Sequence, residues 1–262
     1  MSTAPATVHG VEPPRRPLAV RLGKKARWGI NRIVSRYSCV PLTPVVSTQH
    51  FPWLRDIEQA APLIRAETDY LLRHVTAIPP MNQMSPDHQR IAGEGGWRSF
   101  FLVGYGYRIE GNCARCPETT KALGHVPGLV TALFSILEPG KHLQPHRGAY
   151  NGVLRLHLGL LVPDAGEEEL AIRVGNEVCR WQEGKALIFD DCFEHEAWNR
   201  SDQVRVVLMI DFVKPLRFPA SAVNWLILHL APFTPYIREA AKAQKQWERR
   251  FLQSGPTDAR KT

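Results

Sequence analysis

Three short stretches of this chain hold residue types that bind metals and carboxylates. His146 lies in Gln144-Pro145-His146-Arg147-Gly148, and His195 lies much later in Glu194-His195-Glu196. Between them is the strand-like run Leu154-Arg155-Leu156-His157-Leu158-Gly159-Leu160. Side chains alternate faces along a strand, so the four leucines share one face and Arg155 and His157 share the other. An arginine beside a histidine on the inner face of a β element is costly unless something anionic is held there. With His146 upstream and His195 downstream, the pattern reads as a metal-dependent enzyme that binds a small dicarboxylate.

A mononuclear non-haem iron centre is usually two histidines and one carboxylate on a jelly roll, with its other positions open to co-substrate and dioxygen. The first two ligands usually come as His-x-Asp/Glu at a strand end. Here the residue two after His146 is Gly148, so the expected carboxylate is missing.

The elements that must position these residues are short strands. Apolar and aromatic runs at 97–103, 129–137, 152–162, 170–174, 186–190 and 203–213 are separated by turns such as Pro139-Gly140, Pro163-Asp164-Ala165-Gly166 and Glu183-Gly184. That spacing predicts a mainly β fold: an antiparallel sandwich or jelly roll, the cupin-like double-stranded β-helix, with flanking α-helices. Helical periodicity is expected over 18–37, 53–74 and 221–252. Residues 1–16, rich in Pro, Thr and Ala, are expected to be disordered. The expected organisation is a basic extension over 1–45, a catalytic domain over 46–218 and a helical extension over 219–262.

The chain of 262 residues carries a net charge of +8, and its distribution is uneven. Eight Lys/Arg face one acid in residues 1–36, and seven face three in 237–262, which leaves the middle slightly acidic. The cationic ends favour contact with an anionic surface such as lipid headgroups, or else they stay solvated. A cytoplasmic protein, peripheral at the inner face of a membrane, is expected: no signal peptide and no bilayer-spanning run is read. No nucleic-acid partner is expected. Five cysteines argue against a disulfide framework. Cys113-Ala-Arg-Cys116 has no second CxxC to complete a zinc site and reads as a loop pair of thiols.

Several segments together resemble the aspartyl/asparaginyl β-hydroxylase family of iron(II)- and 2-oxoglutarate-dependent oxygenases. They are Pro145-His146-Arg147-Gly148, Leu154 through Leu160, Phe189-Asp190-Asp191-Cys192-Phe193-Glu194-His195-Glu196-Ala197-Trp198, and Arg205. The resemblance implies that His146 and His195 ligate Fe(II) by themselves, since glycine at position 148 is a trait of the family's β-hydroxylase proper. It implies that Asp191 hydrogen-bonds a metal-bound water, and that Ser135, Arg155, His157 and Arg205 bind 2-oxoglutarate. Dioxygen is then the oxidant, and the co-substrate leaves as succinate and carbon dioxide.

Two substrate classes follow from the resemblance. The first is the β-carbon of an Asp or Asn residue or a related amino acid, favoured by Gly148 and by Glu194 through Trp198. The alternative is a membrane-lipid acyl chain, of the lipid A or ornithine-lipid type, favoured by His146-Arg147, the basic ends and the apolar stretch Val223 to Leu230. Halogenation at the open ligand position, and a membrane- or RNA-binding protein that merely retains the fold, are lesser readings. Substrate specificity is expected in loops at 76–96 and 104–126.

Overall fold

The computed structural model describes residues 29–83, 90–93 and 95–234. Its strands are β1 (Val45–Val46), β2 (Trp97–Gly104), β3 (Tyr107–Arg108), β4 (Leu129–Leu137), β5 (Lys141–His146), β6 (Val153–Leu161), β7 (Leu170–Val174), β8 (Glu177–Cys179), β9 (Ala186–Phe189), β10 (His195–Asn199) and β11 (Arg205–Val213). They form a seven-stranded sheet ordered β1-β9-β6-β11-β4-β2-β3 and a four-stranded sheet ordered β5-β10-β7-β8. From β4 onward the chain passes back and forth between the two sheets, and the ladders are antiparallel. This is the jelly roll, or double-stranded β-helix, that the strand spacing predicts.

Strand parity divides the side chains of the large sheet. On β6, β11 and β4, one parity is Leu154, Leu156 and Leu158, Val206, Leu208 and Ile210, and Ala132, Phe134 and Ile136. These pack with Ile57, Ile64 and Leu71 of the covering helices α1 (Leu54–Gln59) and α2 (Ala61–Arg73). The opposite parity turns toward the small sheet: Arg155 and His157 on β6, Arg205 and Met209 on β11, and Ser135 on β4. A continuous apolar layer behind each strand therefore anchors the polar set in front of it.

Residues 53–74 form two helices rather than one, and these meet at Ala60. Pro62 has no N–H to give the Glu58 carbonyl, so the ladder breaks there. Residues 104–126 are not a loop: they hold α3 (Glu110–Arg115) and α4 (Pro117–Leu123). Cys113 is a buried residue of α3, and Cys116 is buried between the two helices. The Glu67 carboxylate accepts the N–H groups of Glu118 (2.7 Å) and Thr119 (2.9 Å) at the start of α4, which suits the positive end of a helix. Helices this short carry too few turns to show a period in sequence.

Of the residues expected to be helical over 18–37, 29–36 are helical and 18–28 lie outside the described residues. Of 221–252, the structure describes α5 (Ala220–Leu230) and the single turn Ala231–Phe233. The remainder from 235 lies outside the described residues, as do 1–16 and, in the expected loop at 76–96, residues 84–89 and 94.

Candidate active site

His146 ends β5 and His195 begins β10, and the two residues are register partners in the small sheet. Their rings approach to 4.1 Å between centroids. The Nδ1–H of His146 donates to the Gln144 carbonyl at 2.7 Å, and that of His195 to the Phe193 carbonyl at 3.0 Å. A carbonyl only accepts, so both rings hold their proton on Nδ1. Each Nε2 then carries the lone pair that a divalent metal takes. Burial, then His146 and Arg155, lowers the His195 pKa to about 3, which keeps the imidazole neutral and ready to ligate.

Asp191 stands in the turn between β9 and β10. Its carbonyl accepts the Gly148 N–H at 2.6 Å, and its Oδ2 lies 3.2 Å from Arg155 Nη2. A Cβ added at Gly148 would fall among the Asp191 carboxylate atoms, well under 3.0 Å from them. So the place where residue 148 would carry a ligand side chain is filled by the carboxylate of residue 191. Asp191 Oδ1 is buried and has no partner. Burial raises the Asp191 pKa to about 6, against the lowering effect of Arg155.

Arg155 also forks onto Asp211, its cross-strand neighbour on β11, at 2.7 and 3.0 Å. Burial draws its pKa down, but the Asp211 and Asp191 carboxylates more than reverse that, and it stays charged. Arg155 is thus held by two carboxylates of the protein.

Arg205 is different. It is 1% exposed and has no ion-pair partner among the described residues. Its Nη1 donates to the Ser135 carbonyl (3.2 Å) and Oγ (3.5 Å), its guanidinium lies 4.5 Å from the Trp181 ring centroid, and its Nε has no partner. Burial alone lowers its pKa to about 9. Ser135 Oγ also accepts from Trp97 Nε1 at 3.0 Å, so its own proton is left to donate. Trp181 Nε1–H donates to His157 Nδ1 at 3.2 Å, which puts the His157 proton on Nε2, a buried atom without a partner. Burial, then Arg205 and Arg155, lowers the His157 pKa far enough to keep it neutral.

Trp97, Ser135, His146, Arg155, His157, His195 and Arg205 line one small cavity, partly open to solvent. Its wall also includes Leu143, Ile172, Phe189, Ala197 and Met209. One end presents two imidazole lone pairs. The other presents Arg205 Nε and His157 Nε2, two buried donors without a partner, beside the Ser135 hydroxyl. Unpartnered donors around a cation without a counter-ion fit a carboxylate.

Among the described residues, the one group of three potential ligand side chains within 4.8 Å of one another is Asp190, Asp191 and Cys192. It is poorly suited to a metal. Asp190 is taken by the buried Lys214 ammonium at 2.6 Å, and burial pushes the Cys192 thiol far up.

The family profile for "Aspartyl/Asparaginyl beta-hydroxylase" matches residues 58–215. The chain is a member of the aspartyl/asparaginyl β-hydroxylase family. It is therefore a hydroxylase by descent. An ornithine lipid ester-linked acyl 2-hydroxylase from Rhizobium tropici is 52% identical over 216 residues, covering 82% of this chain and 76% of that protein. The human aspartyl/asparaginyl beta-hydroxylase is 38% identical over 135 residues, covering 50% of this chain but only 17% of that protein. A solved prolyl-4-hydroxylase from Pseudomonas putida gives a TM-score of 0.39 at 14% identity, over 59% of this chain and 88% of that one, a likeness too loose to carry weight.

Within this family member, the structure brings together every residue singled out by the sequence: Ser135, His146, Arg155, His157, Asp191, His195 and Arg205. Sequence reading overlooked Asp211, Trp97 and Trp181. Asp211 had a signal, since it is an acid of inward parity in the apolar run of β11. Trp181 had none: it lies between strands, where no period applies.

Proposed function

We propose that the chain is an iron(II)- and 2-oxoglutarate-dependent hydroxylase that acts on the acyl chain of a membrane lipid. The observation that carries the co-substrate is the buried Arg205, which has no counter-ion among the described residues and an unpartnered Nε, beside the unpartnered His157 Nε2. His146 and His195 would hold the metal through Nε2, and the buried Asp191 Oδ1 is left to accept a hydrogen bond. Arg205, Ser135 and His157 would bind the far carboxylate of 2-oxoglutarate. Arg155, already engaged by Asp211, fixes Asp191 and borders the same cavity. With metal, 2-oxoglutarate and dioxygen bound, the site would supply the oxidant that inserts one oxygen atom into a C–H bond, with succinate and carbon dioxide as co-products. Leu143, Ile172 and Phe189 give the same cavity an apolar wall.

The lipid is preferred over an Asp or Asn side chain because the match to the acyl 2-hydroxylase runs over most of both chains. The match to the human enzyme stops at half of this one. Lipid and peptide profiles of cells with and without the gene test the choice. A gain of one oxygen atom on an acyl chain is expected, and a gain on peptides alone would reverse it.

A further inference from the structure

Seven exposed large apolar side chains belong to two segments of the chain. Phe218 (80% exposed), Val223, Trp225 (60%), Leu226, Leu230 and Phe233 (63%) run along α5 and its two ends, and Ile33 (56%) stands on the helical segment 29–36. An ordinary surface helix buries its leucines and shows its polar residues. Helix α5 does the reverse: its buried residues are Ala220 and Asn224.

The two segments are joined. Cys39 N–H donates to the Pro215 carbonyl (2.9 Å), and Arg217 N–H to the Tyr37 carbonyl (2.8 Å). Both grip the loop that follows His146. Asn31 Oδ1 accepts the Asn151 N–H at 3.1 Å, and Asn151 Nδ2 donates to Ser35 Oγ at 2.6 Å. Asn224 Nδ2 donates to the Gly152 carbonyl at 2.9 Å, and its Oδ1 accepts from Tyr150 at 2.7 Å. Both segments are therefore tied to the loop that leaves His146, a residue of the cavity wall.

Charge selects the partner. Residues 29–43 and 215–234 contain no Asp or Glu, while Arg32, Arg36 and Arg217 are exposed among them. The chain runs from these segments into its most basic stretches, in a protein whose remainder is slightly acidic. An acid-free apolar surface with a Trp and a cationic border matches an anionic bilayer interface.

We propose that this face, α5 with segment 29–36, docks the enzyme on membranes rich in anionic lipid. The proposal rests on the acyl-chain reading above and extends it: docking sets the pocket mouth at headgroup level, so an acyl carbon reaches the metal without leaving the bilayer completely. The test is co-sedimentation of the full chain with phosphatidylcholine vesicles that contain or lack phosphatidylglycerol. Binding should require the anionic lipid and weaken as salt rises. Trp225→Glu with Leu226→Glu should cut it by at least about tenfold at unchanged Tm, and Ile33→Glu should weaken it independently. Undiminished vesicle binding by these variants, no binding by the wild type, or a solution dimer that the variants dissociate would overturn the proposal. Assays on detergent-dispersed lipid separate the two readings. Acyl hydroxylation there without vesicle binding sinks only the docking face. Docking through this face with no acyl hydroxylation in detergent sinks the substrate and leaves the face standing.

Discussion

Replacing Gly148 by alanine tests whether the Asp191 carboxylate occupies the space beside the two imidazoles. The new Cβ would overlap that carboxylate, which is buried and tied at its own carbonyl to the Gly148 N–H. The side chain must swing away, and its 3.2 Å contact with Arg155 goes with it. Overpacking of this kind costs about 1–3 kcal/mol, and weakening a buried ion pair adds to it. A total of about 3 kcal/mol lowers Tm by roughly 6–12 °C in a chain of this size. Manganese(II), a stand-in for iron that does not react with dioxygen, should bind more weakly in calorimetric titration. Pairing Gly148→Ala with Asp191→Gly removes the clash, so the double variant should be more stable than the two single losses predict, by about 1–3 kcal/mol. Native Tm and native metal affinity in Gly148→Ala would refute the overlap.

Arg205→Met removes a buried cation that has no counter-ion, so the ligand-free chain should be no less stable than wild type, while stabilisation by added 2-oxoglutarate, read as a Tm rise, should vanish. Asp191→Asn should behave in a pH-dependent way. The folded Asp191 pKa is raised from 3.8 to about 6, so the native state binds the extra proton and this group lowers stability as pH climbs through that window. Urea titrations should show the variant gaining on wild type by on the order of 2–3 kcal/mol between pH 4 and pH 7, with turnover reduced; an equal gap at both pH values would contradict it. Trp181→Phe removes the donor to His157 Nδ1 and should raise the KM for 2-oxoglutarate by about tenfold with a smaller change in kcat. Lys214→Met strands the buried Asp190 carboxylate and should cost about 3–5 kcal/mol in urea, with no specific effect on 2-oxoglutarate binding.

Much of the site was legible because parity exposes it. Arg155 and His157 interrupt the leucines of β6 at every second position, and that alternation survives only if the strand is two-faced. His146 and His195 were recognised, but the strands that make them neighbours were not. β5 reads Lys-His-Leu-Gln-Pro-His and β10 reads His-Glu-Ala-Trp-Asn. Both are short and polar, and neither shows an apolar alternation. Gly148 was visible as a missing ligand. That Asp191 fills the same space is a contact between two turns, and no local pattern encodes it. The helices of 110–123 were invisible for want of length, and the inverted face of α5 looked like any apolar helix until its inward residues were seen to be Ala220 and Asn224.

The most direct measurement is stoichiometric. The purified chain, supplied with Fe(II), 2-oxoglutarate and dioxygen, is incubated with an ornithine-containing lipid in detergent, and succinate and hydroxylated acyl chain are counted together by mass spectrometry. The account predicts one hydroxyl per succinate for the wild type, and neither product for His195→Ala or Arg205→Met. Hydroxylated lipid formed without 2-oxoglutarate, or at wild-type rates by either variant, would contradict it.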